Sequence, residues 1–190
     1  ITFSQTGDLI HGDPSENLCV KAAQLFLRTF PTSRHFHIHL HKVIPSGAGL
    51  GGGSSDAAFL LKTLNSLVGA PASHEQLQSM ALALGSDCPF FIDNKPAIAT
   101  GRGEILEECK VALAGYKVVI IKPDVIIPTP AAYKSVAQFS DGSGTDKVFA
   151  LPPEQWQGNV INDFEAWASE SHKEVGEMMS ILKKKGAVYA

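Results

Sequence analysis

The sequence predicts a globular fold of mixed α-helices and β-strands, and three observations support this class. Apolar and polar residues alternate at 1–6 and 35–41, which is typical of half-buried strands. Apolar runs that follow capping residues and end at glycine are typical of helices. The 190 residues are 44% hydrophobic and 18% charged, as in chains that bury a core and form one or two domains.

The first part of the chain predicts a strand, a helix and a second strand. Residues 1–6 form the first strand, and residues 9–10 continue it as a hairpin. Asp13 as N-cap, followed by Pro14 and Glu16, predicts a helix that begins there and ends near residue 30. The second strand has one apolar face, formed by Phe36, Ile38 and Leu40.

The other face of the second strand carries four histidines, His35, His37, His39 and His41. Neighbouring imidazoles at i and i+2 can share a Zn²⁺ or Ni²⁺ ion. Four imidazoles in a line cannot form a tetrahedral site, so a solvated strand face is the favoured interpretation.

The middle of the chain predicts two more helices and a pair of strands. One helix covers about 54–68 and ends at Gly69. Ser73 and Gln76 form a capping box that opens the next helix, which runs through residue 84. Residues 97–106 predict a strand, a turn and a second strand.

The last part of the chain predicts a second domain. Residues 116–123 form an apolar run ended by proline, which predicts a buried strand. Thr129 as N-cap and Pro130 at the first helical position predict a helix. The other predicted elements are a surface loop at 140–147, a helix opening at 162–165, a helix at about 174–185 and the start of a strand at 186–190.

Residues 45–57 are the stretch around which the chain is organised, with five glycines among thirteen residues. A glycine-rich turn that leads into a helix presents free backbone N–H groups and the positive end of the helix dipole, which together bind anions. The hydroxyls of Ser54 and Ser55 are candidates to cap the helix, contact phosphate or ligate phosphate-bound Mg²⁺. No lysine precedes Ser54, which excludes a Walker A loop, and the dinucleotide fingerprint lacks its preceding buried strand. A flexible linker is disfavoured because a strand and an apolar helix flank the stretch.

A second informative stretch, residues 85–92, places Asp87 between a helix end and an apolar strand that contains proline. For a lone Asp in such a position, an Asx turn or a helix cap is the common interpretation. A catalytic role for Asp87 therefore depends on resemblance to a known family.

Charge and composition exclude several classes of protein. The net charge is −3 and no basic run exceeds the three lysines at 183–185, so nothing indicates nucleic-acid binding. No apolar stretch has the length of a membrane span, and no signal peptide is recognisable. Cys19, Cys88 and Cys109 are odd in number and widely spaced, which favours a reduced, cytoplasmic compartment. Monomer and homodimer both stay open.

The glycine-rich stretch resembles the P-x-x-x-G-L-G-[GS]-S-[SA] motif of the GHMP kinases, small-molecule kinases that have no P-loop. The triple glycine at 51–53 is most similar to the branch of this family that acts on 4-diphosphocytidyl-2-C-methyl-D-erythritol. Segments similar to that branch follow each other in its order: residues 17–22, the glycine-rich stretch, the Asp87 segment, residues 127–130 and residues 162–165.

The resemblance implies an α+β fold, the GHMP kinase fold. Its N-terminal, ATP-binding domain is of the ribosomal protein S5 domain 2-like type, with a left-handed β-α-β unit, and would cover residues 1–112. Its C-terminal domain is ferredoxin-like and would cover residues 113–190. Both domains would be incomplete in this sequence.

The resemblance also implies a reaction, the ATP-dependent phosphorylation of a hydroxyl of 4-diphosphocytidyl-2-C-methyl-D-erythritol in isoprenoid precursor biosynthesis, with Mg²⁺. Asp87 would be the catalytic base, Ser55 would meet the Mg²⁺ ion on ATP, and Thr129 and Tyr133 would bind the substrate, Tyr133 by stacking on cytosine. Asn17 and Lys42 would lie near the adenine. From the residues alone, Asn17 in the first turn of its helix is favoured as a cap, and Lys42 is either a surface charge or a nucleotide contact. The full set of implied ATP-binding residues is Asn17, Lys42, Pro45, Gly47, Gly49, Leu50, Gly51, Gly52, Gly53, Ser54 and Ser55.

The sequence also departs from the family pattern. It lacks the N-terminal A-K-I-N segment, the aromatic–His pair of the cytosine pocket and the third, C-terminal glycine-rich motif. We therefore expect an internal piece of a longer protein, inactive by itself. Two alternatives are kept: another GHMP kinase, of the homoserine or mevalonate type, and a non-catalytic nucleotide-binding protein on the same fold.

Overall fold

The structure is a computed structural model that describes residues 1–10, 12–111, 113–125, 127, 129–136 and 144–190; at Thr129 it describes only the backbone. The chain divides into two compact units, Ile1–Glu107 and Glu108–Ala190. Both helices and strands occur, as the sequence predicts.

The first unit opens with a β-α-β unit. Strand β1 (Thr2–Gly7) and strand β2 (His37–Lys42) pair in parallel, with helix α1 (Leu18–Thr29) between them in the chain. The predicted hairpin at residues 9–10 is wrong, because β1 pairs with β2 and a parallel pair needs a long crossover. The helix also begins later than predicted, since Asp13 caps only the short 3-10 turn Pro14–Glu16.

Three helices and a second pair of strands complete this unit. They are α2 (Gly52–Leu67), α3 (His74–Leu84), α4 (Cys88–Asp93), β3 (Ala97–Thr100) and β4 (Ile105–Glu108). The capping box at Ser73 and the strand pair at 97–106 are confirmed. The core lies between helices α1 to α4 and the apolar face of β2, with Phe26, Leu61, Leu64 and Cys88 fully buried.

The strand predicted after Asp87 is wrong, because residues 88–93 form helix α4. Pro89 lies in the first turn of this helix, where its missing N–H is not needed. The six residues are apolar almost throughout, and so short a run has no period by which sequence alone distinguishes strand from helix.

The second unit contains helices α5 (Thr129–Ser135), α6 (Thr145–Phe149), α7 (Glu165–Ser171) and α8 (Lys173–Lys184). The predicted helices that open at 162–165 and at about 174 are confirmed. The predicted loop at 140–147 is wrong in part, because residues 145–147 belong to helix α6. Residues 140–143 of that loop lie outside the described part. Trp156 is buried here, with its ring 5.2 Å from that of Phe149 and 5.7 Å from that of Tyr189.

Residues 116–123 do not form the predicted buried strand. They pair with no strand in the described chain, and Val118 and Ile120 are 77% and 64% exposed. A strand needs a hydrogen-bonding neighbour, so an apolar run without one stays irregular. Residues 187–190 likewise form no strand.

Candidate active site

The glycine-rich stretch forms an exposed loop between strand β2 and helix α2. Gly47, Gly49 and Gly51 have φ angles of +70°, +71° and +63°, in the left-handed region that favours glycine. A Cβ atom placed on Gly47 or Gly49 would meet nothing within 4 Å, so a ligand has room to approach their backbone. Pro45 and Leu50 are exposed on the same loop. The loop thus leads directly into the N-terminus of a 16-residue helix.

The predicted cap of helix α2 needs correction. The helix begins at Gly52, and the N-cap is Gly51, with no side-chain cap hydrogen bond. Ser54 and Ser55 therefore lie inside the first turns and do not cap the helix. The Ser54 hydroxyl instead lies near the thiol of Cys88, the first residue of α4, and lowers the pKa of that thiol.

Close packing explains two members of the glycine triplet. A Cβ on Gly51 would lie 2.8 Å from Cζ of Phe91, on helix α4. A Cβ on Gly52 would lie 3.1 Å from Nζ of Lys42 and 3.1 Å from a methyl carbon of Ile44. The base of the loop therefore has no space for side chains at these positions.

Lys42 is buried, with 4% of its side chain exposed, so its interpretation as a surface charge is wrong. Its ammonium lies 2.6 Å from Oδ2 of Asp56, on helix α2. Sequence reasoning missed Asp56, although a signal existed. Lys42 has the same parity as the inward residues of β2, and a buried lysine needs an acidic partner.

Asp87 immediately precedes helix α4 and is exposed. It is the N-cap residue of α4, as the cap interpretation predicts, but its side chain makes no cap hydrogen bond. A Cβ on Gly103, whose φ is +111°, would come 3.4 Å from Oδ1 of Asp87, so this glycine leaves the carboxylate its space. Helix α4 packs against α2, and Cys88, the residue after Asp87, lies near Ser54 in the first turn of α2.

Asn17 is the N-cap of helix α1, where its Oδ1 accepts a hydrogen bond from the N–H of Cys19 at 2.9 Å. The capping interpretation is thus confirmed, and the amide nitrogen is not part of the cap. Asn17 also lines a cavity of about 460 Å³ together with Phe3, Ile10 and Asp13. Its amide therefore borders a space that a ligand group can enter.

The predicted substrate residues lie in the second unit. Helix α5 begins at Thr129, one residue earlier than predicted, and Pro128 lies outside the described residues. Tyr133 is 58% exposed, and its ring meets that of Phe164 at 5.1 Å and 66°. Two segments that sequence reasoning singled out, around Tyr133 and at 162–165, are therefore packed together.

Two buried thiols lie at the base of the site. Burial raises the pKa of Cys19 to about 11; nearby Asp56 adds to this rise and Lys42 opposes it. Burial also raises the pKa of Cys88, and the nearby hydroxyl of Ser54 opposes that rise. Because the thiolate is the nucleophile, both groups stay unreactive in the folded protein.

We expect iodoacetamide at pH 8 to alkylate Cys109 in the native protein and to reach Cys19 and Cys88 only after unfolding. Cys109 is partly exposed, whereas the other two are buried. The measurement is peptide mass spectrometry of native and urea-treated samples. Equal labelling of all three cysteines in the native sample would contradict the buried positions.

The exposed face of β1 and β2 carries a ladder of alternating hydroxyls and imidazoles. Thr2 Oγ1 lies 2.8 Å from His37 Nδ1, and Ser4 Oγ lies 3.1 Å from His37 Nε2 and 2.9 Å from His39 Nδ1. Thr6 Oγ1 lies 3.0 Å from His39 Nε2 and 2.9 Å from His41 Nδ1. Within the described residues, no group of three or more His, Cys, Asp or Glu is arranged to hold a metal ion.

None of the helices in the described part of the chain is long and apolar enough to cross a membrane.

Residues 17–98 match the family described as GHMP kinases N terminal domain. The chain is 43% identical to 4-diphosphocytidyl-2-C-methyl-D-erythritol kinase of Bacteroides thetaiotaomicron, over the whole chain and 69% of the relative. It is 38% identical to the kinase of the same name from Parabacteroides distasonis, over 99% of the chain and 69% of the relative.

A solved structure agrees with these relatives. The crystal structure of a 4-(cytidine 5'-diphospho)-2C-methyl-D-erythritol kinase matches with a TM-score of 0.72 at 28% identity. The match covers 98% of this chain and 68% of the other.

Proposed function

The chain belongs to the GHMP kinase family, among the 4-diphosphocytidyl-2-C-methyl-D-erythritol kinases, and from this premise we propose the chemical role of its residues. The reaction is phosphoryl transfer from ATP to a hydroxyl of 4-diphosphocytidyl-2-C-methyl-D-erythritol. It supplies isoprenoid precursor biosynthesis, and the free cysteines agree with a cytoplasmic place for it.

The observation that carries this proposal is the position of Asp87. Its carboxylate is exposed and makes no cap hydrogen bond, although Asp87 is the N-cap residue of α4. Helix α4 packs against α2, with Phe91 beside Gly51 and Cys88 near Ser54 at the start of α2. A general base beside an anion site is the arrangement that phosphoryl transfer needs.

The proposed step transfers the γ-phosphoryl group of ATP directly to the substrate hydroxyl. The substrate hydroxyl oxygen forms a bond to the γ-phosphorus, the bond from that phosphorus to the β,γ-bridging oxygen breaks, and ADP leaves. Asp87 accepts the hydroxyl proton. A carboxylate is a weak base for an alcohol, and it serves here because the proton becomes acidic late in the transfer.

The glycine loop fits a triphosphate. Gly47 and Gly49 present their backbone to open space, and the N–H groups at the start of α2 lie next to them. The Ser54 hydroxyl lies near the Cys88 thiol, and we assign the Mg²⁺ contact to the hydroxyl of Ser55. A Mg²⁺ ion on the phosphates of ATP would need few protein ligands, and it would supply charge neutralisation at the transferred group.

The other ligand groups have separate roles. Asn17 serves the adenine side, which its position at the cavity of about 460 Å³ supports. Lys42, whose ammonium is buried and paired with Asp56, acts from the base of the loop. Thr129 and Tyr133 serve the cytidyl substrate. The exposed Tyr133 ring, supported by Phe164, suits stacking on cytosine, which is worth about 1–3 kcal/mol per base.

We expect the complete protein, mixed with Mg-ATP and 4-diphosphocytidyl-2-C-methyl-D-erythritol, to produce ADP and one new phosphomonoester. ³¹P NMR detects both products in one spectrum. Homoserine and mevalonate serve as control acceptors and should give no phosphomonoester.

Two outcomes would contradict the proposal. A product from homoserine or mevalonate alone would identify another GHMP kinase. ATP binding without turnover of any acceptor would favour a nucleotide-binding protein on the same fold.

A further inference from the structure

The ion pair of Lys42 and Asp56 closes the glycine loop at its base. Lys42 is the last residue of β2, on the N-terminal side of the loop, and Asp56 is the fifth residue of α2, about one turn past the end of the loop. Their contact, 2.6 Å long, connects strand β2 and helix α2, the two elements that flank the loop. The loop itself has no such restraint at Gly47 and Gly49, which face open space.

The surroundings of the Lys42 ammonium make Asp56 necessary. The side chain of Lys42 is 4% exposed, so water does not compensate its charge. It lies beneath Gly52, the first residue of α2, where the helix dipole is also positive. The neighbouring Cys19 stays neutral, since burial raises its pKa to about 11. Asp56 therefore supplies the negative charge that keeps Lys42 in this position.

The space for the ammonium comes from the glycine triplet. A Cβ on Gly52 would approach Lys42 Nζ to 3.1 Å, so the helix start, the lysine and Asp56 are packed as one assembly. A shift of the ammonium would then move the start of α2, whose N–H groups face the loop.

We propose that Asp56 is a positioning residue of the phosphate loop. It holds Lys42 under Gly52 and so fixes the distance between the end of β2 and the first turn of α2, where the proposed triphosphate binds. The inference rests on the proposed function, and it assigns to Asp56 an effect on ATP that is separate from folding. Asp56 itself does not take part in the chemistry.

The test is the variant Asp56→Asn in the complete protein, with Asp93→Asn as the matched control. Asp93 is also paired, with His74 at 3.4 Å, but this pair is half exposed and lies at the far end of α4. We expect Asp56→Asn to raise KM for ATP by roughly tenfold or more, as for a displaced positioning group, with KM for the cytidyl substrate nearly unchanged. Asp93→Asn should leave both constants as in the parent protein.

A purely structural role predicts a different pattern. It lowers the melting temperature and the active fraction, and thus apparent kcat, without a selective rise in KM for ATP. The conservative variant Asp56→Glu separates the two roles, because it keeps the charge and the fold but displaces the ammonium by one methylene. We expect it to raise KM for ATP by an intermediate factor at a near-parental melting temperature.

Unchanged KM for ATP in both Asp56 variants would overturn the inference, and Asp56→Glu keeps the test valid if Asp56→Asn does not fold. Failure of the parent protein to use ATP would instead overturn the proposed function. The two failures are therefore distinguishable in the same set of assays.

Discussion

Asp87→Asn is expected to lower kcat by about 10²–10⁴-fold, the range typical of a lost general base. The amide keeps the shape of the carboxylate but cannot accept the hydroxyl proton. Both KM values should stay close to those of the parent protein, because positioning of ATP and of the acceptor is retained. Steady-state kinetics with saturating Mg-ATP measures the change.

Two controls make the Asp87 result interpretable. Since the side chain of Asp87 makes no cap hydrogen bond, the melting temperature of Asp87→Asn should equal that of the parent protein. Asp93→Asn, at the other end of α4, should keep full turnover. Full turnover by Asp87→Asn would remove this residue from the role of base, whatever the substrate.

Among single substitutions in the loop, Gly51→Ala is expected to lower the free energy of unfolding the most. Its φ of +63° strains any L side chain by about 1–2 kcal/mol. The new methyl group would also lie 2.8 Å from Cζ of Phe91, and such overpacking costs about 1–3 kcal/mol. Urea unfolding should show the sum as a lower free energy of unfolding with an unchanged m-value.

Gly47→Ala is the matched control for this change. Its φ of +70° imposes the same backbone strain, but a Cβ there meets nothing within 4 Å. We therefore expect only the strain, about 1–2 kcal/mol. In a double variant, Phe91→Leu added to Gly51→Ala should restore part of the lost free energy of unfolding. Equal losses for Gly47→Ala and Gly51→Ala would contradict the close contact with Phe91.

The elements that sequence predicts well are those with local signals. The capping box of Ser73 and Gln76 fixes the start of α3, and strict alternation identifies β2. The same alternation also predicts the environment of Lys42. Lys42 continues the inward series of β2, so its burial, and the need for an acidic partner such as Asp56, follow from parity alone.

Other features depend on partners distant in sequence. The apolar residues of α4 fit a strand as well as a helix, and only packing against α2 and α3 decides between them. For residues 116–123 the apolar composition favoured a strand, but a strand also requires a hydrogen-bonding neighbour, which composition does not supply. The close approach of Gly103 to Asp87 likewise arises from the folded turn between β3 and β4.

The hydroxyl–imidazole ladder on β1 and β2 has a consequence for the state of its rings. Each hydroxyl has one hydrogen, so Ser4 can donate to only one of its two histidine neighbours and must accept from the other. A neutral His37 or His39 donates from one nitrogen and accepts at the other, which passes the same direction to the next hydroxyl. When all three rings are neutral and all five bonds are made, His37, His39 and His41 must share one tautomer, and the row of bonds has a single polarity along the strand. Reversal of that polarity requires every ring and hydroxyl in the row to change together.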